Sequence, residues 1–113
     1  MPDAPHPAFA AGQLVTVFRS WRRPGSAEEY DETDAEMERL AHTMPGLVDV
    51  KSFAAPDGER VTITTFADEE SQRAWREHAA HRAAQQAGRD RFYAGYTLQV
   101  AETIRARTFA ADP

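Results

Sequence analysis

Leu47-Val-Asp-Val-Lys-Ser-Phe-Ala-Ala55, then Pro56-Asp-Gly-Glu59, then Val61-Thr-Ile-Thr-Thr-Phe66 follow one another in the middle of the chain. The outer runs are rich in β-branched and aromatic residues and alternate, as strands do. The short piece between them is a turn: proline presets φ and glycine accepts a positive φ. Together they predict an antiparallel hairpin. The meaning of that hairpin for the fold depends on what flanks it.

On its N-terminal side, Gln13 to Trp21 reads as a strand. Leu14, Thr16, Phe18 and Ser20 share one face; Val15, Val17, Arg19 and Trp21 share the other. Arg22-Arg-Pro-Gly25 breaks it. Ser26-Ala-Glu-Glu29 carries a capping-box signature, and the acidic first turn suits a helix dipole. Tyr30, Thr33, Met37, Leu40, Ala41 and Met44 then recur at helical spacing as a buried stripe, and Pro45-Gly46 ends the helix.

After the hairpin, Asp68 is placed to cap a second helix carrying Ala74, Trp75 and His78 on one side. The helical pattern continues, with a kink expected near His78–Ala80, towards Tyr93. Tyr96 to Phe109 alternates as a long last strand. The order is β-α-β-β-α-β, the ferredoxin-like split βαβ arrangement of the α+β class. Right-handed crossovers put both helices on one face of a four-stranded antiparallel sheet. The strands carry apolar residues on both faces, so the uncovered face is expected to meet a second copy. The domain is expected to span residues 13–109, with a flexible Pro/Ala-rich arm at 1–12 and a tail at 110–113.

The chain has 113 residues, enough for one domain, with 42% hydrophobic and 27% charged residues. A formal net charge of −5 argues against nucleic acid or an anionic membrane surface as the main partner. Acidic residues crowd the first helix and arginines crowd the second, which reads as two solvated faces. The absence of cysteine excludes disulfides, thiolate-held metals and thiol nucleophiles. The N-terminus has no secretory pattern and no run is long enough to span a membrane, so a cytoplasmic protein is expected.

Chemistry concentrates between Trp75 and Gln99. His81, Gln85, Arg89 and Phe92 share one helix face, and His78 lies a turn before His81. A histidine in a pocket walled by Trp75 and Phe92 suits a general base. Against this stands the reading of both histidines as surface or capping groups. A His-x-x-His metal pair lacks a third ligand at a convincing spacing. Arg19, on a central strand, either stabilises a substrate oxyanion or pairs with a carboxylate such as Glu102. Lys51 and Asp49 alternate onto one face of the second strand, reaching either the pocket or the dimer seam.

The pieces Val15-Thr-Val-Phe-Arg-Ser20, Met44-Pro-Gly46-Leu-Val-Asp-Val-Lys-Ser-Phe53, Asp57-Gly58-Glu59-Arg-Val61 and Ala74-Trp75 resemble, in order and spacing, the antibiotic biosynthesis monooxygenase family over about residues 13–107. The resemblance implies ferredoxin-like protomers joined sheet to sheet as a dimeric α+β barrel, each with a pocket between sheet and helices. It implies a monooxygenase that oxidises an aromatic polyketide-like phenol, anthrone or quinol with O₂ and no cofactor. The expected catalytic residues are His81, His78 and Arg19. The expected substrate-binding residues are Trp75, Phe66, Phe92, Tyr96 and Gln85. A non-oxidative cyclase or isomerase and a non-catalytic ligand-binding dimer are the alternatives. The haem-degrading members pair a strand-one Asn and a helix-two Trp with a later His. Here Arg19, Trp75 and the pair Ala84 and Gln85 occupy those places, so haem degradation is not the expected chemistry.

Overall fold

A computed structural model describes residues 6–25 and 27–111. Strand β1 (Leu14–Arg22) is followed by helix α1 (Ala27–Ala41), strands β2 (Leu47–Ala54) and β3 (Arg60–Phe66), helices α2 (Glu69–Glu77) and α3 (Ala79–Ala87), a π-helical turn (Gly88–Phe92) and strand β4 (Tyr93–Glu102). The sheet order is β2-β3-β1-β4 with every neighbouring pair antiparallel. This is the ferredoxin-like topology that the strand and helix order predicts.

The register fixes which side chains share a rung. Val50, Thr64, Thr16 and Val100 lie abreast, and Ser52, Thr62, Phe18 and Leu98 form the next rung. Because side chains alternate across a strand, both rungs point towards the helices. The intervening residues, Val15, Val17, Arg19, Val61 and Ile63 among them, point the other way. Among the described residues no helix is long and apolar enough to cross a membrane.

Local structure follows local chemistry. Asp68 caps α2: its carboxylate accepts from the Ser71 N–H at 2.8 Å, which holds that carboxyl below its usual range. The Ser26 cap predicted for α1 lies outside the described residues. The Met44-Pro-Gly46 corner needs its glycine twice over. Gly46 has φ +84°, and a Cβ there would stand 2.5 Å from the Ser71 Cβ. The Gly46 carbonyl accepts from Ala67 N–H, tying the end of α1 to the start of α2.

Two boundaries differ from the sequence reading. The second helix is not one kinked rod but two helices, separated at His78, whose backbone is extended (φ −63°, ψ 130°). The last strand runs from Tyr93 to Glu102 rather than Tyr96 to Phe109. Its pairing partner β1 begins at Leu14, opposite Glu102, and beyond that, among the described residues, only Thr103 still pairs, with Gln13 and Gly12. The acidic face of α1 is not merely solvated: Asp34 pairs with Arg60 at 2.8 Å, Asp31 with Arg22 at 3.2 Å and Glu29 with Arg91 at 2.8 Å.

Candidate active site

Between the sheet and the helices lies a cavity of about 170 Å³. Its floor is the two central rungs of the sheet. Half of that floor is hydroxyl-bearing: Thr16, Thr62, Thr64 and Ser52, with Ser52 Oγ and Thr62 Oγ1 2.8 Å apart. A face that only had to bury a helix would carry aliphatic residues there. α1 contributes Tyr30, Asp34, Met37 and Glu38 as one wall. Gln72, Trp75 and Arg76 of α2 and His81, Ala84 and Gln85 of α3 form the roof. Phe92, Tyr93 and Tyr96 close the remaining side.

His81 is set against Trp75, with ring centroids 4.3 Å apart and planes tilted by 31°. Its Nδ1 is buried with no hydrogen-bond partner among the described residues. Burial pushes the imidazole below its usual pKa, and the positive form of His78 acts in the same direction. The backbone carbonyls of Arg76 and Trp75 act against it. The ring is therefore neutral at physiological pH. An unpartnered Nδ1 is best accommodated as a lone-pair acceptor, since a buried N–H without a partner costs more.

The break between α2 and α3 gives His81 this position, and His78 makes the break. The His78 Nδ1 accepts from Ala80 N–H at 3.1 Å, so His78 caps α3. With that nitrogen engaged and its ring outside the cavity lining, His78 is a capping residue and not the pocket base. His78 therefore serves the helix end, and His81 lines the cavity.

Arg19 is also placed away from the pocket. Its side chain leaves the sheet on the face opposite the helices and forms a two-pronged ion pair with Glu59, whose second contact is 3.0 Å. The partner is Glu59 rather than Glu102, because the β2–β3 turn brings Glu59 beside the end of β1. Arg19 cannot hold an oxyanion in the cavity. Asp49 and Lys51 alternate with the cavity-lining Val50 and Ser52, so they too lie on the far face.

Among the expected substrate-binding residues, Trp75, Phe92, Tyr96 and Gln85 line the cavity. Phe66 does not. It is fully buried behind Trp75, with ring centroids 6.3 Å apart, and supports the pocket wall from outside. The aromatic side is a connected set: Phe18 packs on Tyr93 at 5.5 Å and on Tyr96 at 5.2 Å, and Tyr30 meets Phe92 and Tyr93 edge to face.

Sequence reasoning missed the polar contribution of α1. Tyr30 was read as core and Asp34 as part of a solvated acidic face. Their spacing of four residues on one helix face was the available signal. Burial raises the pKa of Asp34 even though Arg60 opposes the shift. It raises the phenols of Tyr30 and Tyr93 as well, so both remain protonated.

Comparison with known proteins agrees with the fold. The chain is 35% identical over 80 residues to the uncharacterized protein YqjZ of Bacillus subtilis, covering 71% of this chain and 70% of that one. Its fold is similar to that of SnoaB, a cofactor-independent oxygenase from Streptomyces nogalater, with a TM-score of 0.71 and 17% identity over 90% of this chain and 100% of that one. Protein SO0527 from Shewanella oneidensis gives a TM-score of 0.76 at 12% identity, covering 89% of this chain and 100% of that one. Residues 14–87, which include the whole floor of the cavity except β4 and its roof as far as Ala87, match the sequence pattern of antibiotic biosynthesis monooxygenases, and the chain belongs to that family.

Proposed function

We propose that the protein is a cofactor-independent monooxygenase for a small electron-rich aromatic, a phenol, anthrone or quinol of the polyketide type, and that it works as a homodimer joined through the open sheet face. The observation that carries the reading is His81: an imidazole held neutral by burial, stacked on Trp75 in the wall of an aromatic cavity. A neutral imidazole on a cavity wall suits a general base. The likeness to a cofactor-independent oxygenase supports the choice of reaction.

The steps follow from that base. His81 removes a proton from the substrate hydroxyl or activated methylene. The electron-rich anion passes one electron to O₂, and the radical pair recombines as a peroxide. Loss of water from the peroxide leaves the quinone; overall one CH₂ and one O₂ become one C=O and one H₂O, with the proton returned by His81. Phe92, Tyr96 and Trp75 exclude bulk water, which keeps the base neutral and shields the anion from reprotonation before it meets O₂. A cyclisation or isomerisation uses the same base without consuming oxygen.

Dissolved-oxygen uptake by metal-stripped protein on a panel of anthrones and hydroxylated naphthalenes tests the reading. Uptake should require the protein, and His81→Ala should lower it about 10²-fold or more, the usual share of a general base. Full turnover by His81→Ala would remove the proposed base. Conversion of substrate without oxygen uptake would replace the monooxygenase by the isomerase or cyclase.

A further inference from the structure

The cavity has two chemically different ends. His81 and Trp75 lie at the end marked by Phe66, on which Trp75 packs. Towards the other end of β3 is Arg60, on the rung of Ser20 and Tyr96. Over that second rung stand Tyr30 and Asp34 from α1 and Tyr93 from β4. The two phenol rings meet edge to face at 5.7 Å. Asp34 lines the cavity, while Arg60, which donates to one of its oxygens at 2.8 Å, does not. The guanidinium is further occupied by Asp31 at 4.0 Å and by the Tyr30 ring, 5.5 Å from its centre. At this end the cavity therefore meets the carboxylate and not the guanidinium of Arg60, while Arg76 lies in the roof beside Trp75.

A general base does not need this second group. Arg60 pairs with Asp34 and the Tyr30 and Tyr93 phenols interact with each other, so the cluster is held in place while the carboxylate keeps acceptor capacity beyond what Arg60 uses. We propose that Tyr30, Asp34 and Tyr93 form an anchoring subsite for a neutral hydroxyl group on the part of the aromatic substrate remote from the reacting carbon. A hydroxyl can donate to Asp34 and accept from a tyrosine O–H in the same pose. A carboxylate cannot: it has no proton to give, and it would face both Asp34 and Glu38, which lines the same wall. The substrate class that follows is a fused-ring aromatic hydroxylated at both ends, with carboxylated analogues rejected. This rests on the reading of the cavity as the reaction site and names the specificity of that site.

Calorimetric titration under nitrogen tests it, so that binding is read apart from oxidation. The probes are a naphthalenediol with hydroxyls on opposite rings, the matching mono-naphthol, and a naphthol carrying a carboxylate in place of the second hydroxyl. The diol should bind the wild type about 10-fold more tightly than the mono-naphthol, the share of one hydrogen bond to a charged group, and the acid most weakly. Asp34→Asn and Tyr93→Phe should each reduce the preference for the diol to near parity; Tyr93→Phe keeps the ring and decides the matter should Asp34→Asn fail to fold. Equal binding of diol and mono-naphthol by the wild type, tightest binding of the acid, no binding of any probe, or an undiminished preference in both variants overturns the subsite. Binding with the expected preference but no oxygen uptake in air overturns the monooxygenase reading and leaves the subsite standing.

Discussion

Burial sets the protonation state of His81, and pH is the means to observe it. The imidazole titrates below its usual 6.5 because the cavity wall disfavours its charged form. A base of this kind stays active into mildly acidic solution. The acid limb of the kcat/KM profile should therefore fall below pH 6.5, and a limb above that value would exclude His81 as the titrating group. The same shift enters stability. The unfolded chain binds this proton more tightly than the folded one, so the contribution is full above about pH 6.5 and is lost as pH falls through the lowered folded value. Thermal unfolding between neutral and mildly acidic pH should show the loss in the wild type and less of it in His81→Gln. Phe66 acts on the same site through packing. Phe66→Ala should cost about 3–5 kcal/mol by denaturant unfolding, since the ring is fully buried, and should free the Trp75 indole to tilt from His81. Retention of wild-type stability and of Trp75 fluorescence would show that the ring is dispensable. At this scale the sequence was informative about kind and less so about direction. His81 and Trp75 were visible as a base and an aromatic wall on one helical pattern. Arg19 was misplaced because both faces of β1 are apolar, so alternation groups Arg19 with Val15 and Val17 without saying which face the helices cover.

At the scale of elements, the connection from α2 to β4 does most to shape the pocket. His78 stops one helix and caps the next, and the π-helical turn Gly88–Phe92 then swings the chain so that buried Phe92 and half-buried Tyr93 enter the cavity wall in succession. A π turn leaves carbonyls without regular partners, and Arg23 supplies them. Its guanidinium donates to the carbonyls of Tyr93, Asp90 and Arg89 at 3.0–3.2 Å, and its N–H donates to Phe92 O at 2.7 Å. Gly88 is needed for a different reason. A Cβ there would sit 2.3 Å from Tyr93 Cε2, so the tyrosine ring packs against bare backbone. Gly88→Ala should destabilise the fold by about 1–3 kcal/mol, as overpacking does, and should weaken ligand binding beyond what stability explains, because Tyr93 must move. Calorimetry and unfolding on the same variant separate the two; unchanged binding would show that Tyr93 accommodates the methyl group in place. The sequence pattern located the irregularity near His78–Ala80 but gave no sign of the π turn. A periodicity of 3.6 smears over a single wider turn, and the arginine that stabilises it is more than sixty positions away in sequence.

Among the described residues, no layer covers one face of the sheet. Val15, Val17, Val61 and Ile63 share that face, between the Arg19–Glu59 pair and the groove where Phe9, Arg105 and Arg107 approach Ile63. Past β4 only Thr103 of the described residues still pairs, with Gln13 and Gly12, and Ile104 and Phe109 are 86% and 83% exposed. Apolar residues of this size, on a sheet face and on an extended tail beside it, are what two copies packed sheet to sheet would cover. A domain of this length has a modest core of its own, so that interface would also carry stability. Light scattering on the eluting protein should give twice the 12.6 kDa chain mass. Val17 and Ile63 are cross-strand partners at the centre of the face, and a carboxylate there would be buried unpaired against its symmetry mate. Ile63→Glu should therefore yield a monomer with a lower, concentration-independent Tm, whereas the wild-type Tm should rise with protein concentration. The cavity lies on the opposite side of the sheet, so a folded Ile63→Glu monomer should still bind the aromatic probes, more weakly in proportion to the looser sheet. A wild-type monomer, or a Tm indifferent to concentration, would mean that the open face is covered by something other than a second copy.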